Sequence, residues 1–548
     1  MVGPNFVSAA LRATRIWQRQ RLNAAIEEDL QSQSQGLACT HSDPALVREH
    51  VRRLLELVQN LNEHLNAFSF VSRLPAELLV EIFQYIAELD DDGLSLVACS
   101  HVCRRWRVIA IASPRLWTRT IDFANDNEDL VTTLIQRSSP YPLDVSWDYN
   151  LTLSSWGPEY FLLHGDVLRA MNNVCCAITS LHRVREICLY APLQHIVGIL
   201  ARSFPQFAPN LQTLILVSFN LAEVEEVDEA AGLSLPMLEL GVPILHTLCI
   251  ERLGVQLGKI DTRSLQNLQH LSLSHMPIGS KLSLPRAVEI LFGIHLLKVL
   301  VLRRALQSPI PSNHALQISL PNLIMLIIEA PMIHTVLLLE SISTPHLQTL
   351  EVYLEGVLPV GSTTDQMQFF SAVGAKARLT AYHTLFVAVE EKFANVVGFL
   401  GTIAHDSAPL HSNTFHLSLE WDNPVPWDSA HGTALLELCR HFSLPCVQCL
   451  HFFIGSDYHG DIPTSTWSFI LAMYPAVECL SILGTLPFNI LDVLLDSTQS
   501  HPTHHSALLP HLHSISLMLD NGSQTILNEY LAQLSASYPM IAVEVVTS

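Results

Sequence analysis

Charge is scarce in this 548-residue chain: Asp, Glu, Lys and Arg make up 15% of it, against 49% hydrophobic residues. Basic residues are the scarcer kind, 30 Lys and Arg against 51 Asp and Glu, for a formal charge of −21. A nucleic-acid binder draws most of its affinity from a basic stripe that neutralises phosphates, so no nucleic-acid partner is expected. Long unbroken apolar runs are missing as well. The richest, Leu323 to Ile342, is interrupted by Glu329, Pro331, His334 and Glu340, whereas a membrane-spanning helix needs about 20 mostly apolar residues. No membrane partner is therefore expected, and short buried strands account for the hydropathy. The 11 cysteines show no paired secretory spacing and no signal-peptide core opens the chain. Free thiols in a reducing compartment, cytoplasmic or nuclear, are expected.

Catalytic constellations are equally thin. Neither GxSxG nor HExxH occurs. Gly254-Val-Gln-Leu-Gly258-Lys259-Ile260 is one residue short of a phosphate loop and ends in Ile instead of Ser or Thr. Cys446-Val-Gln-Cys449 has redox spacing but no second CxxC, and reads as an inert structural pair. The histidines at 501, 504, 505, 511 and 513 read as a solvated connection. Hence no enzymatic activity, no metal and no cofactor is expected.

What is present begins after a polar stretch. Residues 1–43 read as a flexible segment, with little periodicity over 27–43. From Pro44, a first-turn proline behind Ser42 or Asp43 as the capping residue, Leu46, Val51, Leu54, Val58, Leu61 and Leu65 recur at spacings of three to five. That pattern predicts an amphipathic helix in a 44–70 segment. Its stripe is expected to pack on the helices that follow, with pairing to another chain as the alternative.

Three short apolar helices come next. Leu74-Pro75-Ala-Glu77-Leu78-Leu79-Val-Glu-Ile82-Phe83 is followed by Val102-Cys-Arg-Arg-Trp106 and by Pro114-Arg-Leu116-Trp117. Joined at these spacings, the three motifs resemble the F-box, most closely the F-box families of mushroom-forming fungi, over residues 71–121. The resemblance implies docking into a Skp-family adaptor and, through it, a cullin. It also implies that Leu74, Pro75, Leu78, Ile82 and Phe83 insert into the adaptor, with Val102, Trp106, Leu116 and Trp117 completing the contact or supporting it. An acidic insertion, Glu88 to Asp92, departs from the pattern between the first two helices.

Beyond residue 122 the chain repeats itself. L-x-x-L-x-L strings place central leucines at 214, 248, 271, 300, 326 and 350, and further copies centre on Leu385, Leu450, Leu480 and Ile515. Proline often stands just before a copy, as at Pro209, Pro243, Pro321, Pro345, Pro475 and Pro510. The pattern is similar to leucine-rich repeats, in which each strand buries its stripe only against its neighbours. The expected fold class is therefore an α/β solenoid over 122–548 with a curved, mostly parallel sheet, preceded by the helix and the three-helix domain. One departure is plain: the consensus Asn or Cys after each strand is replaced by Phe219, Leu253, Met276, Ala305, Pro331 and Glu355.

Residues between the buried leucines of each strand point to the opposite face. Glu251, Glu329, Glu351, Tyr353, Phe386, Glu420 and Phe453 are the candidate contacts for an unknown client protein, expected to offer basic and apolar residues. Together these readings describe a non-catalytic substrate-recognition subunit of an SCF-type ubiquitin ligase. The rival reading is an interaction scaffold with the same docking domain and no ubiquitin output.

Overall fold

The computed structural model of the chain describes, apart from a few isolated positions, residues 44–67, 69–88, 94–150, 164–203, 208–219, 242–307, 317–355, 364–377, 384–389, 393–399, 414–420, 446–454, 463–484, 488–499, 508–519 and 541–547. The expected flexible segment 1–43, the acidic run Asp90 to Asp92 and the histidines at 501, 504 and 505 lie outside the described residues. The chain divides into two compact units, one of residues 1–86 and 97–112, the other of residues 87–96 and 113–548. No helix among the described residues is long and apolar enough to cross a membrane.

The N-terminal part is helical. Helix α1 runs over Pro44–Ala67. After a 3-10 turn at Val71–Arg73 come α2 (Ala76–Glu88), α3 (Leu94–Ser100) and α4 (Arg104–Ile111). The Pro75 carbonyl accepts the Leu79 N–H at 3.2 Å and so opens α2, while Glu77 in the first turn complements the positive end of the helix dipole. Cys103 Sγ accepts the Trp106 N–H at 3.5 Å and caps α4. Pro114 lies just past the end of α4, where its missing N–H does no harm.

The second unit is built on one sheet of 15 strands. In chain order these are β1 (Leu143–Asp148), β2 (Val184–Pro192), β3 (Thr213–Phe219), β4 (Thr247–Glu251), β5 (His270–Ser274), β6 (Val299–Arg303), β7 (Met325–Ala330) and β8 (Thr349–Leu354). Then follow β9 (Thr384–Val389), β10 (Phe393–Phe399), β11 (Thr414–Glu420), β12 (Cys449–Ile454), β13 (Cys479–Gly484), β14 (Ser514–Leu519) and β15 (Ala542–Thr547). Strands β1 to β8 pair in sequence order, all parallel, and β12 to β15 do the same. Between the two blocks the order reverses. β8 pairs with β11, β11 with β10, β10 with β9, and β9 with β12, so β10 runs antiparallel to both neighbours. The sheet is thus mostly parallel and open, as the repeat pattern implies, but it is not a strictly sequential stack.

The L-x-x-L-x-L strings fall where their chemistry requires. Leu214, Leu216, Leu248, Ile250, Leu271, Leu273, Leu300, Leu302, Leu326 and Ile328 are all buried on one side of the sheet, and the leading leucines 211, 245, 268, 297 and 323 are buried just before it. Each such side chain contributes roughly 1.5–3 kcal/mol on burial, before chain entropy is counted against it. The prolines ahead of the strings also have a defined place. Ala208–Leu211, Val242–Leu245, Leu320–Leu323, Thr344–Leu347, Tyr474–Val477 and Leu509–Leu512 are turns closed by an N–H to carbonyl bond of 3.2–3.3 Å. In each, proline holds the second position, where its fixed φ suits the turn.

The missing consensus polar residue has two replacements. Before the strands, the Nδ2 atoms of Asn210, Asn267 and Asn322 donate to the carbonyls of His182, Pro243 and His295 at 2.6, 2.6 and 2.9 Å, a side-chain ladder set ahead of the strand. After the strands, Arg252, His275 and Arg304 adopt left-handed backbone with φ of 52°, 53° and 50°. Their N–H groups donate to the carbonyls of Ser274, Arg303 and Glu329 at 2.9, 2.6 and 2.6 Å. This backbone ladder leaves the next positions, Leu253, Met276 and Ala305, free to be buried and apolar.

Candidate docking and recognition surfaces

Helix α2 is apolar on two sides. Leu79 and Phe83, one turn apart, are fully buried. Leu78, Ile82 and Tyr85 follow the same spacing one residue out of phase and remain 44%, 39% and 64% exposed. The buried pair explains why the helix packs; the exposed trio is surface that packing within the chain does not use. Phe83 meets Trp106 of α4 edge-on at 5.1 Å, which fixes α4 behind α2, and Trp106 itself is half-buried. The Arg105 guanidinium donates to the carbonyls of Ser72 and Leu74 and so holds the Leu74-Pro75 lead-in against α4. Leu74 is half-buried and Pro75 exposed.

The expected contact residues therefore separate into two groups. Pro75, Leu78, Ile82 and Val102 are exposed, and Leu74 partly so. Phe83, Leu116 and Trp117 are buried and cannot meet a partner without unfolding part of the chain. Phe83 serves the helical unit. Leu116 and Trp117, on the 3-10 turn Pro114–Thr118, fall in the second unit, where the Arg137 guanidinium lies over the Trp117 ring at 5.0 Å. Sequence reasoning missed Tyr85, Val108 and Ile111, which are exposed apolar residues of α2 and α4. For Tyr85 the signal was available: it stands seven residues from Leu78 on the same helical face.

On the sheet, strand register aligns the residues of the face opposite the leucines into lateral rows. One row runs Cys188, Ile215, Cys249, Ser272, Val301, Ile327, Glu351 and His416. The next runs Tyr190, Val217, Glu251, Ser274, Arg303, Glu329, Tyr353 and Ser418. The first is apolar or small over six strands, and the second carries the charge.

Those charges are already engaged. Glu329 pairs with Arg304. Glu351 Oε2 lies 3.8 Å from Arg303 and accepts the Tyr353 hydroxyl at 3.2 Å. Glu251 is 4.0 Å from Arg252 and 3.9 Å from His275 Nδ1. Tyr353 also meets His416 Nδ1 at 3.1 Å, and the Arg303 guanidinium lies over its ring at 5.4 Å. Burial, reinforced by Glu351, pushes the Tyr353 hydroxyl up to about 12, so it stays protonated and donates. Burial lowers His275 and His416, which favours their neutral forms near neutral pH. Of the candidate client contacts, Glu251, Glu329 and Glu351 thus each have a cation beside them at a strand end. Phe453 is half-buried, while the side chains of Phe386 and Glu420 lie outside the described residues.

Burial, followed by Glu186 and Asp144, pushes the Cys188 thiol up to about 11, away from thiolate. Among the described residues every cysteine is a free thiol, and no group of three or more His, Cys, Asp or Glu could hold a metal ion. No curated protein matches the chain. The helical stretch does have a match: residues 71–121 fit the family model of the F-box-like domain, a kind of module that generally binds Skp-type adaptors and typically recruits other proteins instead of catalysing a reaction.

Proposed function

We propose that the chain is a substrate-recognition subunit of an SCF-type cullin-RING ubiquitin ligase. The observation that carries this reading is the F-box-like match at 71–121, on which Leu78, Ile82 and Tyr85 form an exposed apolar face without a partner in the described chain. Helix-in-groove recognition uses residues at such spacings as anchors. In this reading Leu74, Pro75, Leu78, Ile82 and Val102 touch the adaptor. Phe83 and Trp106 hold the touching surface in shape from behind, and Leu116 and Trp117 secure the end of the domain.

The sheet face is the proposed client surface. Its apolar row, with the half-buried Ile215 and Val301, offers contact area, and the Tyr353 cluster closes one end. Glu251, Glu329 and Glu351 then act as buttresses that orient Arg252, Arg303 and Arg304, with Phe386, Glu420 and Phe453 extending the face towards the later strands. The client would be chosen by shape and apolar contact more than by basic charge. Catalysis would come entirely from proximity, the adaptor side holding the ligase and the sheet side holding the client.

Co-purification of the full chain with a Skp-family adaptor and a cullin tests the first half. The expected result is a ternary complex that a Leu78→Asp/Ile82→Asp chain fails to form; an unaffected complex would contradict the proposed contact. Binding of the adaptor without cullin recruitment or client turnover would instead favour the rival scaffold.

A further inference from the structure

Helix α1 carries an apolar seam that is exposed towards both ends and half-buried at Leu54 and Val58 in its middle. Val47, Val51, Leu54, Val58, Leu61 and Leu65 follow one another at spacings of four, three, four, three and four, the heptad rule without a break. At about 100° per residue they stay within roughly 40° of one line along the helix. Val47 and Leu65, at the two ends of the line, are 47% and 69% exposed, and Val51 and Leu61 are exposed between them.

The opposite side of the helix is finished. Glu49, Glu56 and Glu63 stand seven residues apart, diametrically across from the seam. Arg52 bonds Glu49 at 2.7 Å and Glu56 at 2.5 Å, and Arg53 bonds Glu49 at 2.9 Å. Glu63 reaches Arg104 of α4 at 3.5 Å. The charged side thus meets α4 at one point, while Val47, and Val51, Leu61 and Leu65 of the stripe expected to pack on the following helices, remain exposed.

We infer that this seam binds the same seam of a second copy of the chain, as a parallel two-stranded coiled coil over residues 47–65. Two features select that occupant. Valine at 51 and 58 with leucine at 54 and 61 is the arrangement of β-branched and unbranched residues that favours two parallel strands. Glu49 and Glu56 with Arg52 and Arg53 lie away from the seam, paired within their own helix, and Glu63 pairs with Arg104, so two copies meet without carboxylates facing across the seam. Exposed Leu55 and Leu57 flank the seam and widen the contact. In a parallel pair both chains leave the coil at the same end, so two F-box-like domains are displayed side by side. A client with two copies of its recognition segment would then gain effective concentration from the second site.

Light scattering on the size-fractionated full chain tests this. The expected mass is twice the 61.0 kDa of one chain. Leu54→Asp/Val58→Asp should return it to a single chain, while Glu56→Gln, on the far side, should leave it doubled. Thermal melting followed at the strand signal checks that the aspartate variant keeps its sheet; a monomer with the wild-type melting profile counts in favour. A wild-type chain that is monomeric across the micromolar range would overturn the inference. A dimer that survives the aspartates, or a larger assembly, would do so equally. Orientation has its own readout: Leu65→Cys should cross-link to itself beyond the wild-type background, and cross-linking only between Val47→Cys and Leu65→Cys chains would refute the parallel arrangement.

Discussion

Among the described residues, three bear left-handed backbone without being glycine. Arg252, His275 and Arg304 hold φ near 50° at the ends of β4, β5 and β6, where a Cβ costs roughly 1–2 kcal/mol. Their ladder of N–H bonds and the ion pairs of the two arginines over-determine the conformation. Arg252→Gly should therefore leave stability unchanged within about 1 kcal/mol, the relieved strain offsetting a weak ion pair. Arg252→Val should cost at least ~1 kcal/mol more than the glycine variant, as read from denaturant midpoints. His334 presents the opposite case. It is buried, and neither ring nitrogen has a hydrogen-bond partner among the described residues. An unpaired buried polar group is costly, so His334→Leu should be neutral or stabilising by about 1 kcal/mol. None of this was legible beforehand: left-handed turns are usually announced by Gly or Asn, and here Arg and His occupy them.

At the scale of elements, α2 shows why a motif can be recognised before its residues can be sorted. The string from Leu74 to Phe83 places apolar residues all round the helix, and periodicity alone does not say which stripe faces inward. The structure decides it: Leu79 and Phe83 are sealed, while Leu78 and Ile82 are not. Phe83→Ala should then destabilise the helical unit by about 3–5 kcal/mol, whereas Leu78→Asp should move stability by less than about 0.5 kcal/mol. Chemical denaturation followed by tryptophan fluorescence separates the two, because Trp106 lies against Phe83. The repeat strands were more legible, since burial of every second residue leaves an alternating pattern. What escaped was the pairing of the acids, for Arg303 and Arg304 come from a different strand than Glu351 and Glu329 and the match exists only across the register.

For the molecule as a whole, composition pointed to a large buried sheet, and the run of L-x-x-L-x-L strings located most of its strands. The reversal at β8–β11–β10–β9–β12 was hidden because β10 (Phe393–Phe399) lacks the string, and strand order depends on contacts between distant residues. The boundary between compact units falls after Ala112, within the stretch that matches the F-box-like model. Burial also predicts a pH response. His195, His270, His275, His334 and His416 all have lowered pKa values, each chiefly from burial, against an ordinary 6.5. A depressed histidine binds fewer protons folded than unfolded, so stability is intact above 6.5 and falls as pH drops below it towards the folded values. Melting temperature should decline steadily between about pH 7 and pH 5, before carboxylates titrate; a flat profile over that interval would show that these rings are not held neutral.

In the proposed function α2 divides into an inner stripe that holds the fold and an outer stripe that would meet the adaptor. Titration calorimetry of a purified Skp-family adaptor into the full chain, and into its Leu78→Asp/Ile82→Asp variant, measures it directly. The wild type should bind, and the variant should lose about 30-fold or more in affinity at an unchanged melting temperature, as expected for two anchors at the centre of a contact. Equal affinities, or a wild-type chain that does not bind the adaptor, would contradict it.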